Sequence, residues 1–316
     1  MRKQDNQQTW TILKILNWTT DYFRSKDIDS PRIDAEILLA DLLDVKRIDL
    51  YIRYDQPLNA EELAYFKSLI KRRAGKEPVA YIIGHKDFFS SEIKVTPDVL
   101  IPRPDTEILV EKTVDAIKKL KSDINTPLNV IELGTGSGAV LLSVMASITE
   151  TDLTAKDDHA EKKNHPGVTF YGSDISLKAL KVTKENIEKN GERAFLFCGN
   201  WLSCVKKYTP FFHVIMSNPP YIASGDLHRL MPDVRNFEPW LALDGGIDGL
   251  SSICAIIKQS KDILLPGGFL LLEIGFDQKD KVFAIAESMG GYNEITCTKD
   301  YAGNDRVISM RKKLYS

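Results

Sequence analysis

The sequence predicts an α/β chain in which a small N-terminal helical bundle precedes a mostly parallel sheet that closes with an antiparallel C-terminal strand. Three observations predict it. Up to about residue 85 the apolar residues recur at helical spacing. Beyond about residue 125, short apolar runs alternate with amphipathic stretches, which implies parallel strands covered on both faces. The first of those runs ends in a glycine-rich turn, Glu132–Ala139, that opens a helix. At 316 residues the chain is long enough for two domains, and its 43% hydrophobic and 27% charged residues are ordinary for a soluble globular protein.

In the bundle, Ile12, Leu13, Leu16 and Phe23 mark the first helix, and Ser30-Pro31 predicts the second as a cap followed by proline at the first helical position. A third is expected from Asn59, whose side chain caps while Glu62 reaches back, to Gly75. Lys67, Lys71, Arg72, Arg73 and Lys76 crowd its end. We expect them to complement the negative helix terminus and stay solvated; a contact patch for an acidic partner or ribosomal RNA is the other reading. The predicted domain boundaries are 1–85 for the bundle, 86–104 for a β-hairpin and linker, and 105–316 for the sheet domain. Alternation and a Ser-Ser break place the hairpin at Phe88–Val95. In Leu100–Glu107, two prolines hold Arg103 extended until a helix can begin near Asp105, making the arginine a candidate clamp for a carboxylate or a backbone group.

Five strands are expected at 128–133, 168–172, 194–198, 214–217 and 269–274, with 293–298 and 306–310 forming a last hairpin. The polar stretch 150–167 reads as a solvated insertion without a role. Four cysteines (198, 204, 254, 297) and five histidines (85, 159, 165, 213, 228) show neither C-x-x-C pairing nor ligand spacing, so no metal is expected. A net charge of −2 gives no global pull toward nucleic acid. The polar start Met1–Gln8 has no apolar core, and Gly268–Phe276 is too short to span a bilayer, so the expected location is cytoplasmic with no membrane partner.

The candidate site lies at four successive strand ends. Gly134, Thr135, Gly136, Ser137 and Gly138 let a ligand approach the backbone at a helix N-terminus, although Gly134, Gly136 and Ala139 also fit the dinucleotide pattern G-x-G-x-x-G/A. Asp174 ends the second strand, where a carboxylate can accept from two ribose hydroxyls. Asn200-Trp201 ends the third and can flank an adenine ring. The fourth runs into Asn218-Pro219-Pro220-Tyr221, in which a planar amide stands beside a backbone carbonyl displaced from the ladder by proline. Two such acceptors can hold one –NH₂ group of a weakly nucleophilic nitrogen, either a base amine or a glutamine amide, with Tyr221 as a flat wall. First and fourth strands adjoin at the switch point of a doubly wound sheet, so the two loops should meet.

These residues resemble those of the HemK/PrmC family, methyltransferases that modify the glutamine of the Gly-Gly-Gln motif in peptide chain release factors. The likeness spans nearly the whole chain: Pro31–Glu36, Leu100–Glu107, Glu132–Gly138, Asn218–Tyr221, Glu238-Pro239, Ala242-Leu243, Gly246, Asp248-Gly249 and Asp300–Val307. It implies a class I S-adenosylmethionine-dependent methyltransferase of Rossmann-like fold, with the cofactor, S-adenosyl-L-methionine, contacted by Gly134 to Gly138, Asp174, Trp201 and Asn218. It further implies that Asn218, Pro219, Pro220 and Tyr221 hold the substrate glutamine, that the bundle docks the release factor close to the ribosome, and that no nucleic acid is the direct substrate. Glu132 departs from the family's more usual aspartate. Rival readings are a ribosomal-protein glutamine methyltransferase, a nucleic-acid amino-methyltransferase with Tyr221 stacked on a flipped base, and an NAD-dependent dehydrogenase. Against the first stands Pro104-Asp105-Thr106-Glu107 after Arg103; against the last, Asp174 follows Gly138 by 36 residues where a dehydrogenase acid comes after about twenty.

Overall fold

A computed structural model describes residues 9–124, 126–152 and 167–314 of the protein. The polar start Met1–Gln8 and nearly all of the 150–167 insertion lie outside the described residues. Two compact units emerge, the residues up to Gly84 together with Met231–Phe237, and His85–Leu230 together with the residues from Glu238 onward.

The first unit is helical: α1 (Ile12–Arg24), α2 (Pro31–Leu42), α3 (Asp49–Ile52), α4 (Ala60–Ala74) and α5 (Val79–Ile83). Helix α1 buries Ile12, Ile15, Leu16 and Phe23, whereas Leu13 is 42% exposed, so the stripe turns past Leu13 instead of including it. The capping box is present, with Glu62 N donating to Asn59 Oδ1 (2.9 Å) and Asn59 N donating to Glu62 Oε2 (2.7 Å). Ser30 makes no side-chain cap; its carbonyl accepts from Asp34 N at 2.9 Å, and Pro31 alone sets the helix start. Helix α3 escaped the sequence reading because four residues carry no periodic signal.

The basic cluster departs from the expectation of simple solvation at Arg72, Arg73 and Lys76, whereas Lys67 and Lys71 stay exposed as expected. Arg73 is buried and donates to Asp34 Oδ2 (2.7 Å), Arg72 pairs with Glu77 (2.6 Å), and Lys76 donates to the Asp27 carbonyl (2.5 Å). Nearby, the buried Glu36 accepts from Arg32 (2.6 Å), Arg47 (2.8 Å) and the Tyr51 hydroxyl. Both acids of the Pro31–Glu36 motif are therefore anchors within the bundle. Unpairing either would leave a buried charge, which is costly.

The second unit opens with a hairpin, β1 (His85–Phe88) and β2 (Ser91–Lys94), which starts three residues before its predicted position. After helix α6 (Glu107–Asp123) come β3 (Leu128–Leu133), α7 (Ala139–Asp152), β4 (Val168–Asp174), α8 (Leu177–Lys189), β5 (Phe195–Cys198) and β6 (Phe212–Ser217). The short helix α9 (Pro232–Phe237) belongs to the first unit. Then follow α10 (Ser251–Ile263), β7 (Leu264–Glu273), α11 (Lys279–Met289), β8 (Tyr292–Lys299) and β9 (Asp305–Lys312).

The seven-stranded sheet has the order β5-β4-β3-β6-β7-β9-β8. Strands β3 to β7 pair in parallel, while β9 slots antiparallel between β7 and β8. The expected mostly parallel sheet with an antiparallel end is present, and each of the seven predicted strands overlaps an observed one, with Ala194 and Ile274 falling one residue outside β5 and β7. The insertion of the last strand inside the edge could not be read from periodicity, because a hairpin's sequence does not say which of its strands faces the sheet. Ile131, Leu133, Ile215, Leu270 and Leu272 are wholly buried, as expected where helices cover both faces.

Candidate active site

Strands β3 and β6 are neighbours in register, Leu133 opposite Ser217, so the turn after β3 and the loop after β6 leave the sheet side by side. The order of strands reverses here, and this is where open α/β sheets hold ligands. A cavity of about 430 Å³ opens at this point, within the roughly 300–1,000 Å³ typical of small-molecule sites.

Of the residues expected from sequence, Gly134, Thr135, Gly136, Ser137, Asp174, Trp201, Asn218 and Pro220 line this cavity. Gly138, Pro219 and Tyr221 do not. Gly138 instead serves packing: its φ is +80°, and a Cβ there would stand 2.9 Å from Thr183 Cγ2 on α8. Gly134, at φ +70°, lies under the Trp201 indole, whose Cζ3 would be 3.3 Å from an added Cβ. At Gly136 an added Cβ would meet nothing within 4 Å, and a ligand can approach the main chain there.

The amides of the turn are largely committed to the fold. Gly134 N and Thr135 N donate to the Ser173 carbonyl (2.7 and 3.0 Å), and Gly136 N donates to Asp174 Oδ2 (2.9 Å). Asp174 Oδ1 accepts from Ser176 N (2.8 Å), so the carboxylate is fixed by two backbone donors and each oxygen keeps a lone pair for a ligand. Burial raises the Asp174 carboxyl above its ordinary value, partly offset by those donors. Glu132 sits deeper, wholly buried, accepting from Leu141 N (3.1 Å); burial holds it well above the usual carboxylate range.

The loop after β6 is locked from behind. Asn218 Nδ2 donates to Thr106 Oγ1 at 3.2 Å, and Glu273, at the end of β7, is buried behind them with its Oε2 lacking a hydrogen-bond partner among the described residues. Tyr221 turns away from the cavity into the core, its hydroxyl 3.5 Å from Glu273 Oε1. The flat-wall role expected of Tyr221 is thus not where its ring lies. Burial, then the charge of Glu273, pushes the Tyr221 phenol up to about 12. Glu273 itself is pushed up to about 7 by burial, against the nearby Thr106 hydroxyl and the charge of Arg306. Gln278 Nε2 donates to the Tyr221 carbonyl (2.9 Å) and to the Gly249 carbonyl (3.2 Å).

Several of these residues were not singled out from sequence. Arg103 does act as a clamp: its guanidinium pairs with Glu238, whose other oxygen accepts from Ile101 N at 3.2 Å. Arg306 bonds Asp300 through two nitrogens (3.0 and 3.1 Å) and reaches Asp105 (3.2 Å). Asn186 donates to the Ser137 carbonyl (2.8 Å) and exchanges two bonds with Lys94, tying the hairpin to the glycine turn. Thr106, Glu273, Gln278 and Asn186 share a signal that sequence does contain, a polar residue inside an otherwise apolar or helical pattern. Its partner is the part that sequence withholds.

No group of three or more His, Cys, Asp or Glu arranged to hold a metal ion occurs among the described residues. Among those residues, no helix is long and apolar enough to cross a membrane.

Comparison with known proteins places these features in context. Residues 14–84 match the family model of the PrmC N-terminal domain. The release factor glutamine methyltransferase of Rhodopirellula baltica is 38% identical over 314 residues, covering 99% of this chain and 100% of the relative. That of Geobacter sulfurreducens is 35% identical, covering 97% and 99%. The solved hMettl16 catalytic domain, in complex with MAT2A 3′UTR hairpin 6, shares the fold at a TM-score of 0.51 and 15% identity, covering 83% of this chain and 86% of that one.

Proposed function

The chain belongs to the family of release factor glutamine methyltransferases, and from that membership we propose that it transfers a methyl group from S-adenosylmethionine to the side-chain amide nitrogen of the glutamine in the Gly-Gly-Gln motif of peptide chain release factors. The observation that carries this reading is the convergence of Asn218 with Gly134, Gly136, Asp174 and Trp201 on one cavity at the β3/β6 switch point.

The cavity fits the cofactor on its own chemistry. A glycine that leaves the main chain bare, a carboxylate with lone pairs to spare and an indole are what a phosphate-free nucleoside needs: close approach, a ribose acceptor and a flat surface. We assign Gly134 to Ser137 and Asp174 to holding the nucleoside, with Trp201 against its base. When bound, the cofactor supplies an electrophilic methyl on a positively charged sulfur.

An amide nitrogen is a poor nucleophile because its lone pair is delocalised into the carbonyl, as the ~18–20 kcal/mol rotation barrier of such bonds shows. Asn218 Oδ1 and the neighbouring Pro219 carbonyl accept the two N–H bonds of the substrate and let the nitrogen pyramidalise with its lone pair aimed at the methyl. Positioning of this kind is worth about 7–11 kcal/mol in favourable cases. The extra proton then leaves the nitrogen after transfer. We place the reaction in the cytoplasm near the ribosome, with the bundle docking the release factor.

The test is incubation of labelled S-adenosylmethionine with a release factor, its Gln→Ala variant at the motif, tRNA, rRNA and DNA. Label is expected on the release factor alone and absent from the variant. Label on nucleic acid alone would overturn the reading.

A further inference from the structure

Four acids line the cavity at the β3/β6 switch point, Asp98, Glu132, Asp174 and Asp244, but among the described residues only one cation does, Arg103. The cofactor proposed for this cavity, on which the present inference rests, ends in an amino acid with one ammonium and one carboxylate. Acceptors for the ammonium are plentiful. Arg103 alone offers a charged donor to the carboxylate.

We propose that Arg103, held from behind by Glu238, binds the carboxylate at the methionine end of S-adenosylmethionine. The main chain at Arg103 is fixed before any ligand arrives: Pro102 and Pro104 flank it, its backbone is extended (φ −101°, ψ 143°), and its carbonyl accepts from Thr106 N at 3.1 Å. Glu238 does not line the cavity, and its side chain is 1% exposed against 37% for that of Arg103. One Glu238 oxygen accepts from Arg103 Nη2 and the other from Ile101 N (3.2 Å), so the acid is engaged at both ends. The positive end of the pair therefore faces the cavity. Among the described residues, Nε and Nη1 of Arg103 make no hydrogen bond. A planar guanidinium can grip one carboxylate and still present donors to a second, which an ammonium on a flexible stem does poorly.

The place of Arg103 in the fold suits that role. The strand order β5-β4-β3-β6 puts Asp174 and Trp201, which follow β4 and β5, on one side of the glycine turn, and Asn218, which follows β6, on the other. Arg103 stands three residues before Thr106, whose hydroxyl accepts from Asn218, and so belongs to the second side. A ligand whose base lies against Trp201 must extend its methionine end there. The substrate glutamine and its flanking glycines carry no charge and so do not call for a cation.

Calorimetric titration of the full chain with S-adenosylmethionine and with its decarboxylated form, which keeps the nucleoside, the sulfonium and the ammonium, isolates the carboxylate. The wild type should bind S-adenosylmethionine about ten- to a hundredfold more tightly than the decarboxylated form, the scale of a hydrogen bond to a charged group. Arg103→Met should erase that preference by weakening S-adenosylmethionine alone, and Arg103→Lys should recover only part of it. Methionine leaves the Glu238 charge buried without its partner; if that variant does not fold, Arg103→Met combined with Glu238→Gln carries the same expectations. No preference in the wild type, or a preference that survives in the folded methionine variant, would overturn the proposal. So would an unchanged Kd for S-adenosylmethionine with a raised KM for the release factor, since the arginine would then serve the peptide. A wild-type protein that binds neither ligand is a separate outcome and would overturn the proposed function instead.

Discussion

Asn218 and Glu273 pose opposite problems at the scale of single residues. Asn218 must present an acceptor to a reacting nitrogen, and removing it should resemble the loss of one preorganised donor in an oxyanion hole. Asn218→Ala is expected to lower kcat by about 10²–10³, measured by methyl transfer under saturating substrate. Near-normal turnover would refute the role. Glu273 is a carboxyl that the fold prefers neutral, since burial lifts it from 4.5 to about 7. The folded protein therefore holds a proton that the unfolded chain has lost, and the sign follows: this stability is fully present below about pH 4.5 and is lost as pH rises through about 7. Between about pH 5 and pH 8 the loss should reach about 2–3 kcal/mol. Glu273→Gln should abolish it, so urea unfolding should show the variant gaining on the wild type across that window. Parallel pH dependence in both proteins would show that the carboxyl titrates normally. Sequence made Asn218 legible because proline and an aromatic ring mark it off from a strand. Glu273, one acid within an apolar run, was visible only as an interruption of that run.

Among the elements, the glycine turn and the loop after β6 are shaped by contacts from distant parts of the chain. Gly249 has φ +75°, and an added Cβ would lie 2.3 Å from the Tyr221 carbonyl and 2.8 Å from Gln278 Nε2. Gly249→Ala would both strain the backbone and push apart the bond that fixes Tyr221. We expect a loss of about 1–3 kcal/mol from the backbone alone, seen as a lowered Tm, together with slower methyl transfer. An unchanged Tm would mean that the loop gives way freely. The positions of β3 and β6 were readable from their apolar runs, and their adjacency followed from general α/β topology. What sequence could not supply was the direction of Tyr221. An aromatic residue beside prolines fits a cavity wall or a core equally well; the Tyr221 hydroxyl meets Glu273 while Gln278 holds the Tyr221 backbone carbonyl, each more than fifty residues away. Likewise Arg73, Arg72 and Lys76 looked solvated until Asp34, Glu77 and the Asp27 carbonyl were placed beside them.

For the whole molecule, two units carry separate cores, one lined by residues such as Phe23, Leu38 and Phe66, the other by the sheet. This organisation was largely legible, because a change from helical to alternating β and helical patterning spans many residues and averages over local ambiguity. The return of Met231–Phe237 to the helical unit was not, since six helical residues carry no address. If the cavity at the β3/β6 switch point is a nucleoside site for a methyl donor, S-adenosylmethionine at about a hundred times its Kd should add about 2.7 kcal/mol to the stability of the unit that binds it, and NAD should add nothing. A thermal shift with NAD alone would favour the dehydrogenase reading of the glycine turn. The most direct measurement of the central claim is tandem mass spectrometry of a release factor after incubation with the protein and S-adenosylmethionine. The account predicts one added methyl on the side-chain nitrogen of the Gly-Gly-Gln glutamine, strongly diminished with Asn218→Ala. A methyl on any other residue, or equal modification by the alanine variant, would contradict it.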